Sequence, residues 1–195
     1  MSTPQVPRIG IVIGSTREGR FSEKPARWIH GIGIERADLA VELVDLRDYP
    51  LPFFEEAMPP LWAPPRNEVA QRWAAKLATL DGLIAVTPEY NHGPSAVLKN
   101  ALDYAYQEFA RKPIGFVGYG GVGAARAVEQ LRLVAAELQM VSVRNAVHIG
   151  LTEFLGILQQ GKSFDDYPHL GQSATALFDD IAWWARALKT ARVAA

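Results

Sequence analysis

Apolar positions along this chain follow two alternating rhythms. Short, nearly continuous apolar runs recur at Arg8 to Ile13, Leu39 to Leu46, Leu83 to Thr87, Pro113 to Tyr119 and Val141 to Ile149. Runs of this length, rich in Val and Ile, read as strands buried on both faces. The fifth carries Arg144 near its middle and is expected to be interrupted there. Between and after these runs the apolar residues space at three and four, as on one side of a helix. Helices are predicted from Ser22 to about Ala37, with Ala26, Ile29 and Gly33 inward, and from Asn67 to Leu80. Others are predicted over Ser95 to Tyr106, with Val97, Leu98, Ala101, Leu102 and Ala105 on one face, and over Ala124 to Leu138, with Val128, Leu131 and Ala135 inward. A last helix spans Ser173 to Val193, turning Leu177, Ile181, Trp184 and Leu188 inward. Residues 150 to 171 read as irregular. The stretch DYPLPFFEEAMPPLWAPP holds six prolines and cannot be regular structure, because proline lacks a donor and fixes φ.

Five alternations of strand and helix predict an α/β fold, a doubly wound five-stranded parallel sheet with helices on both faces. No repeat, linker or low-complexity tract divides the chain, so residues 1–195 are expected to form a single domain. Such sheets take ligands outside the carboxyl ends of their strands. Those ends are the segments Gly14 to Ser22, Tyr49 to Pro60, Pro88 to Pro94 and Tyr119 to Gly123.

Composition narrows the possible functions. A net charge of -1 supplies no basic field for nucleic acid. The chain has no cysteine, which excludes disulfides, thiol chemistry and Cys-ligated zinc. No apolar run reaches the roughly 20 residues that span a bilayer, and MSTPQVPR lacks the apolar core of a signal peptide. A cytoplasmic protein with no membrane partner is expected.

The first strand-end loop gathers Ser15, Thr16, Arg17, Arg20 and Ser22 just before a helix. Hydroxyls, guanidinium groups and a helix N-terminus together suit an anion, phosphate above all. The alternative is that Ser22 merely caps the helix and the arginines are solvated. The loop has neither the GxxxxGK[ST] of a triphosphate site nor a GxGxxG. After the third strand, TPEYNHGPSAVLKNALDY makes a rigid turn that projects Tyr90, Asn91 and His92, with Glu89 inside it. An aromatic beside exposed main-chain donors suits a flat heteroaromatic ring. His92 alone reads more readily as an ordinary loop residue than as a catalytic one, and Glu89 reads alternatively as the partner of a basic side chain. After the fourth strand, Gly118, Gly120 and Gly123 form a GxGxxG. A dinucleotide fingerprint follows the first strand and has an acid at the end of the next. Here the acid at about that distance, Glu137, falls inside the following helix. The glycines are read instead as allowing close approach to the backbone.

Taken together, GSTREGRFSEKPA, PEYNHGPSAVLKNALDY, YGGVGAARAVEQLR and DYPLPFFEE resemble the NADPH-dependent FMN reductase family, across about residues 8 to 140. The paired PEYN and LKN segments are the most specific. The resemblance implies a flavodoxin-like fold with FMN and NADPH as cofactors. It implies that Ser15 and Arg17 hold the FMN phosphate with help from Ser22. Pro88, Glu89, Tyr90 and Asn91 would line the isoalloxazine edge, and Gly120 and Gly121 its pyrimidine end. Arg20 departs from the small hydroxyl residue common in the family and is a candidate for the 2′-phosphate of NADPH. His92 and Gly93 stand where a serine is common, at the substrate face. The implied reaction passes hydride from NADPH to FMN and then to a small-molecule acceptor such as a quinone, azo compound, free flavin or metal oxyanion. A flavodoxin-like electron carrier or redox sensor is the alternative. Phe53, Phe54 and Trp62 on the Pro-rich loop mark a candidate interface, and a homodimer or homotetramer is expected.

Overall fold

The computed structural model describes residues 6–194. Residues 1–5, which belong to the N-terminal stretch MSTPQVPR, and residue 195 lie outside the described residues. Five strands, β1 (Arg8–Ile13), β2 (Ala40–Asp45), β3 (Gly82–Pro88), β4 (Pro113–Tyr119) and β5 (Val141–Ile149), form one parallel sheet in the order β2-β1-β3-β4-β5. The order reverses beside β1, so β1 and β3 flank the switch point where such sheets bind ligands. β3 and β4 are buried along their whole length, which explains their unbroken apolar sequence.

Six helices cover the faces: α1 (Glu23–Ile34), α2 (Glu68–Ala78), α3 (Ala96–Asp103), α4 (Ala125–Glu137), α5 (Leu151–Gln159) and α6 (Pro168–Val193). Ile29 of α1 and Leu177, Phe178 and Ile181 of α6 pack on one face against Ile9, Ile11 and Val117. Trp73 of α2, Leu98 of α3 and Leu131 of α4 pack on the other against Val12, Ala85 and Phe116. Trp184 and Leu188 of α6 are only half-buried. The third helix ends at Asp103, short of the expected Tyr106. There the chain turns to bury Tyr104 and Phe109, and the Tyr104 hydroxyl donates to Phe53 O at 3.3 Å.

The expected interruption of β5 is present. Ile114 pairs with Ser142, but Phe116 pairs with Ala146, so β5 bulges around Arg144. Arg132 fills the bulge, donating to the carbonyl oxygens of Val143 at 2.6 Å and Arg144 at 2.9 Å. One expectation is corrected. Residues 150 to 171 are not irregular: they hold α5, a short 3₁₀ turn at Phe164–Asp166 and the start of α6. Pro168 opens α6 at its first turn, where its missing N–H costs nothing. No helix among the described residues is long and apolar enough to cross a membrane.

Candidate active site

The first loop is pinned where it leaves the sheet. Gly14 N–H donates to Val86 O at 2.9 Å, and a Cβ at Gly14 would stand 2.6 Å from that same oxygen. Only glycine allows this approach. The Ser95 hydroxyl donates to Gly14 O and also accepts from Leu98 N at the start of α3, tying the first and third loops together. Beyond Gly14, Ser15 is buried, residues 16–19 are exposed, and Phe21 and Ser22 are buried again.

Ser22 stands at the N-cap position of α1 but does not cap it. Its backbone is already helical, with φ -52° and ψ -24°, and its side chain accepts no N–H of the helix. Ser15 Oγ, Ser22 Oγ and Arg20 Nε are the buried side-chain polar atoms that lack a hydrogen-bond partner among the described residues. An unpaired buried polar group costs about 1–3 kcal/mol. Three on one loop, beside the N-terminus of a 12-residue helix, form a cradle for an anion. A phosphate monoester, with three acceptor oxygens, fits that donor set.

Arg20 has another task besides. Its guanidinium grips both oxygens of Asp45 at the end of β2, with Nη1 at 2.7 Å from Oδ1, and Nη1 also donates to Ser15 O at 2.8 Å. Asp45 further accepts from Arg47 N at 2.9 Å, and Arg47 reaches back to the carbonyls of Thr16 and Arg17. Burial pushes the Asp45 carboxyl up, but Arg20 and Arg47 outweigh it and hold the group below its ordinary range. Arg20 is therefore a brace for the loop, and its terminal nitrogens are taken by the protein itself rather than presented to a nucleotide 2′-phosphate. Arg17 is exposed. Its guanidinium lies 5.7 Å from the Tyr90 ring centre, and Nη1 is 3.4 Å from the Tyr90 hydroxyl.

The third loop is a four-residue hairpin. Tyr90 N donates to Gly93 O at 2.9 Å, and Gly93 N to Tyr90 O at 3.0 Å. Asn91 and His92 at its tip have φ of 49° and 69°, the left-handed pair of a type I′ turn. His92 Nε2 lies 2.8 Å from Arg126 Nη1, and His92 O accepts from Gln130 at 2.7 Å, which clamps the hairpin onto α4. The Glu89 carboxylate, expected at the ring edge, serves the protein instead. It accepts from Arg126 N at 3.1 Å and Ala127 N at 3.4 Å and pairs with the Arg126 guanidinium. Residue Ala124 at the N-cap of α4 has no side-chain acceptor, and Glu89 supplies one from across the cleft. Glu89 N and Tyr90 N are also engaged by the protein. The unengaged main-chain donors of this loop, among the described residues, belong to Asn91 and His92.

The fourth loop opens with Gly120 at φ 137°, a conformation closed to other residues. Its N–H donates to Ile149 O at 3.1 Å, leaving Gly121 exposed. Sequence reasoning missed Tyr119, the last residue of β4. Its ring packs 5.1 Å from Phe21 and is stacked 6.1 Å from Phe154 of α5. Burial pushes its phenol up to about 12, against the pull of the nearby Ser22 and Ser15 hydroxyls. An aromatic between a strand and a glycine loop was the available signal. Phe154 was hidden because its segment read as irregular.

Arg17, Phe21, Tyr90, Tyr119 and Gly120 line a cavity of about 260 Å³, closed on one side by Phe154 and Leu158. A larger cavity of about 630 Å³ lies beyond Thr16, between Arg47, Tyr49 and Asn100. Arg20, which bears one of the orphaned atoms, lines the smaller cavity, whereas Ser15 and Ser22 line neither.

The strand order and the anion loop at the switch point define a flavodoxin-like α/β protein. The same fold is found in FerB, a flavoenzyme NAD(P)H:(acceptor) oxidoreductase from Paracoccus denitrificans, with a TM-score of 0.72, 22% identity, and 93% of this chain and 98% of that one covered. The family model for NADPH-dependent FMN reductase matches residues 7–153, and the chain belongs to that family. It is 38% identical over 136 residues to an NAD(P)H-dependent FMN reductase of Schizosaccharomyces pombe, covering 69% of this chain and 68% of that one. It is 33% identical over 143 residues to a 2-hydroxy-1,4-benzoquinone reductase of a Burkholderia species, covering 69% and 73%. The family's cofactors are FMN and NAD(P)H, and the orphaned cradle fits the phosphate of the first.

Proposed function

We propose that this chain, acting as one domain in the cytoplasm, oxidises NAD(P)H and reduces a quinone or azo compound. The net reaction with a quinone is NAD(P)H + H⁺ + quinone giving NAD(P)⁺ + hydroquinone. One observation carries the reading: Ser15 Oγ, Ser22 Oγ and Arg20 Nε are buried and unpaired among the described residues, on a single loop at the switch point. Ser15 and Ser22 donate to the FMN phosphate, with Arg20 Nε and the Glu23 N–H that opens α1. Exposed Arg17 adds charge and steers the anion in. The main-chain donors of Asn91, His92 and Gly121 meet the polar edge of the isoalloxazine, while Tyr90 and Gly120 bound its plane. Bound FMN supplies two-electron redox chemistry. The chain's own contribution is to hold, orient and shield.

Exposed apolar groups support a homodimer or homotetramer. On the Pro-rich loop Phe53 is 81% and Trp62 70% exposed, beside Met58 and Leu61. Phe54 is different. It packs edge-on against Tyr104 at 5.1 Å, and its N–H donates to Asn100, so it anchors the loop to its own chain. A Phe53→Glu, Trp62→Glu double variant is expected to lower the mass seen by light scattering; an unchanged mass removes this loop from the interface.

Steady-state kinetics with NADPH and 1,4-benzoquinone test the reaction. Parallel double-reciprocal lines are expected, since both substrates use one site in turn. Intersecting lines would refute a shared site. No NADPH or NADH oxidation at all would favour the electron carrier or sensor.

A further inference from the structure

Three hydroxyls converge on the cradle, from Ser15 and Ser22 on the first loop and from Tyr119 at the end of β4. The two serine hydroxyls are near enough to the phenol to pull its pKa downward against the larger effect of burial. Neither serine oxygen has a hydrogen-bond partner by distance and angle among the described residues, and Tyr119 is buried beside them at 6% exposed. Buried hydroxyls gathered at one place call for a common acceptor.

Tyr119 is also packed between two aromatic rings. Phe21 tilts against it at 55° and Phe154 lies nearly parallel at 14°, while Phe21 and Phe154 meet edge-on at 4.6 Å. This closed group fixes the ring and therefore the direction of its hydroxyl. Phe154 comes from α5, past the residues that the family model matches. α5 is itself fastened by Lys24, which donates to Ile157 O at 3.4 Å, and by Gly156, which packs against Tyr167.

We propose that the Tyr119 hydroxyl is a third hydroxyl donor to the FMN phosphate, and that Phe154 is the positioning residue that keeps it aimed there. The proposal rests on the reading of the cradle as the FMN phosphate site. Four side-chain donors then serve one phosphate: Ser15, Ser22, Tyr119 and Arg20 Nε. A phenol that keeps its proton up to about pH 12 remains a donor across the whole working range. The helix added by α5 thus acts on cofactor retention, through an aromatic contact, without touching the phosphate itself.

Flavin fluorescence titration with FMN and with riboflavin, which lacks the phosphate, separates the possibilities. Wild type is expected to prefer FMN. Tyr119→Phe keeps the ring packing and is expected to lower the FMN-to-riboflavin preference about tenfold, the scale of a lost hydrogen bond to a charged group, with riboflavin affinity unchanged. Phe154→Ala is expected to lower the same preference, and to add nothing in the Tyr119→Phe background. Phe154→Leu, which keeps an apolar side chain there, serves if the alanine variant unfolds. A wild-type preference in Tyr119→Phe, alongside a reduced one in Ser15→Ala, would overturn the role of Tyr119 while leaving the phosphate site standing. Equal loss of FMN and riboflavin in the Phe154 variant would make that residue a general wall and overturn its positioning role. Equal affinities in wild type would overturn both the phosphate site and this proposal.

Discussion

Ser22 sits where capping and ligand binding make opposite demands. A serine that caps a helix stabilises it by about 1 kcal/mol. Ser22 instead buries a hydroxyl with no partner, which costs stability until a ligand accepts its proton. Ser22→Ala is therefore expected to leave the flavin-free protein as stable or slightly more so, and to weaken FMN binding by about 1 kcal/mol. Thermal melts with and without FMN check both halves. A destabilised flavin-free variant with unchanged affinity would restore the capping role. The residue identities of this loop were legible in the sequence. The division of labour was not: Arg20 and Ser15 are five positions apart, and only folding shows that Arg20 turns to Asp45 on the next strand. Arg17→Ala is expected to weaken FMN binding at low salt more than at high salt, because its guanidinium is exposed and screened.

At the scale of elements, Glu89 does for α4 what the helix's own first residues do not. Burial raises its carboxyl, but the Arg126 side chain and the first N–H groups of α4 overcome that and hold it below the ordinary value of 4.5. A lowered folded-state value means that the stabilisation is present above pH 4.5 and is lost as pH falls through the lowered value. Glu89→Gln is expected to flatten that part of the acid unfolding profile and to loosen the hairpin clamp at Arg126 and His92. A wild-type acid profile in the variant would contradict the capping role. All five strands and the helices on their crossovers were readable from hydrophobic spacing, because burial on both faces or on one face leaves a plain pattern. The pairing of Glu89 with a basic residue was anticipated as an alternative, though its partner on α4 was not. α5 escaped notice because Gly150, Gly156 and Gly161 punctuate its sequence and read as turns. Gly156 is helical, packed where Tyr167 leaves no room for a side chain.

Across the whole molecule the two ends of the sheet do different work. The carboxyl end holds buried polar groups that are unpaired among the described residues. The opposite end pairs its charges internally: Asp81 accepts from Arg8 N at 3.0 Å, Lys189 at 2.8 Å and Arg192 at 2.8 Å, fastening the end of α6 beneath β1. Lys112 is buried beside them and donates to Leu77 O at 2.9 Å. Burial, with the charge of Arg192, pushes its amine down to about 8 against the pull of Asp81 and Glu108. Between pH 8 and its ordinary value of 10.5 the unfolded chain binds the proton more than the folded one does, so this group makes stability rise with pH there. Wild type is expected to gain on Lys112→Met across that window in denaturant titrations; a constant difference would contradict the buried charge. At the other end, the cradle is expected to hold a flavin that NAD(P)H reduces. The most direct test is the visible spectrum of protein loaded with FMN, freed of excess and mixed with NADPH without air. Retained yellow colour that bleaches on NADPH is the predicted result, and a protein that retains no flavin, or keeps its colour with both NADPH and NADH, would contradict it.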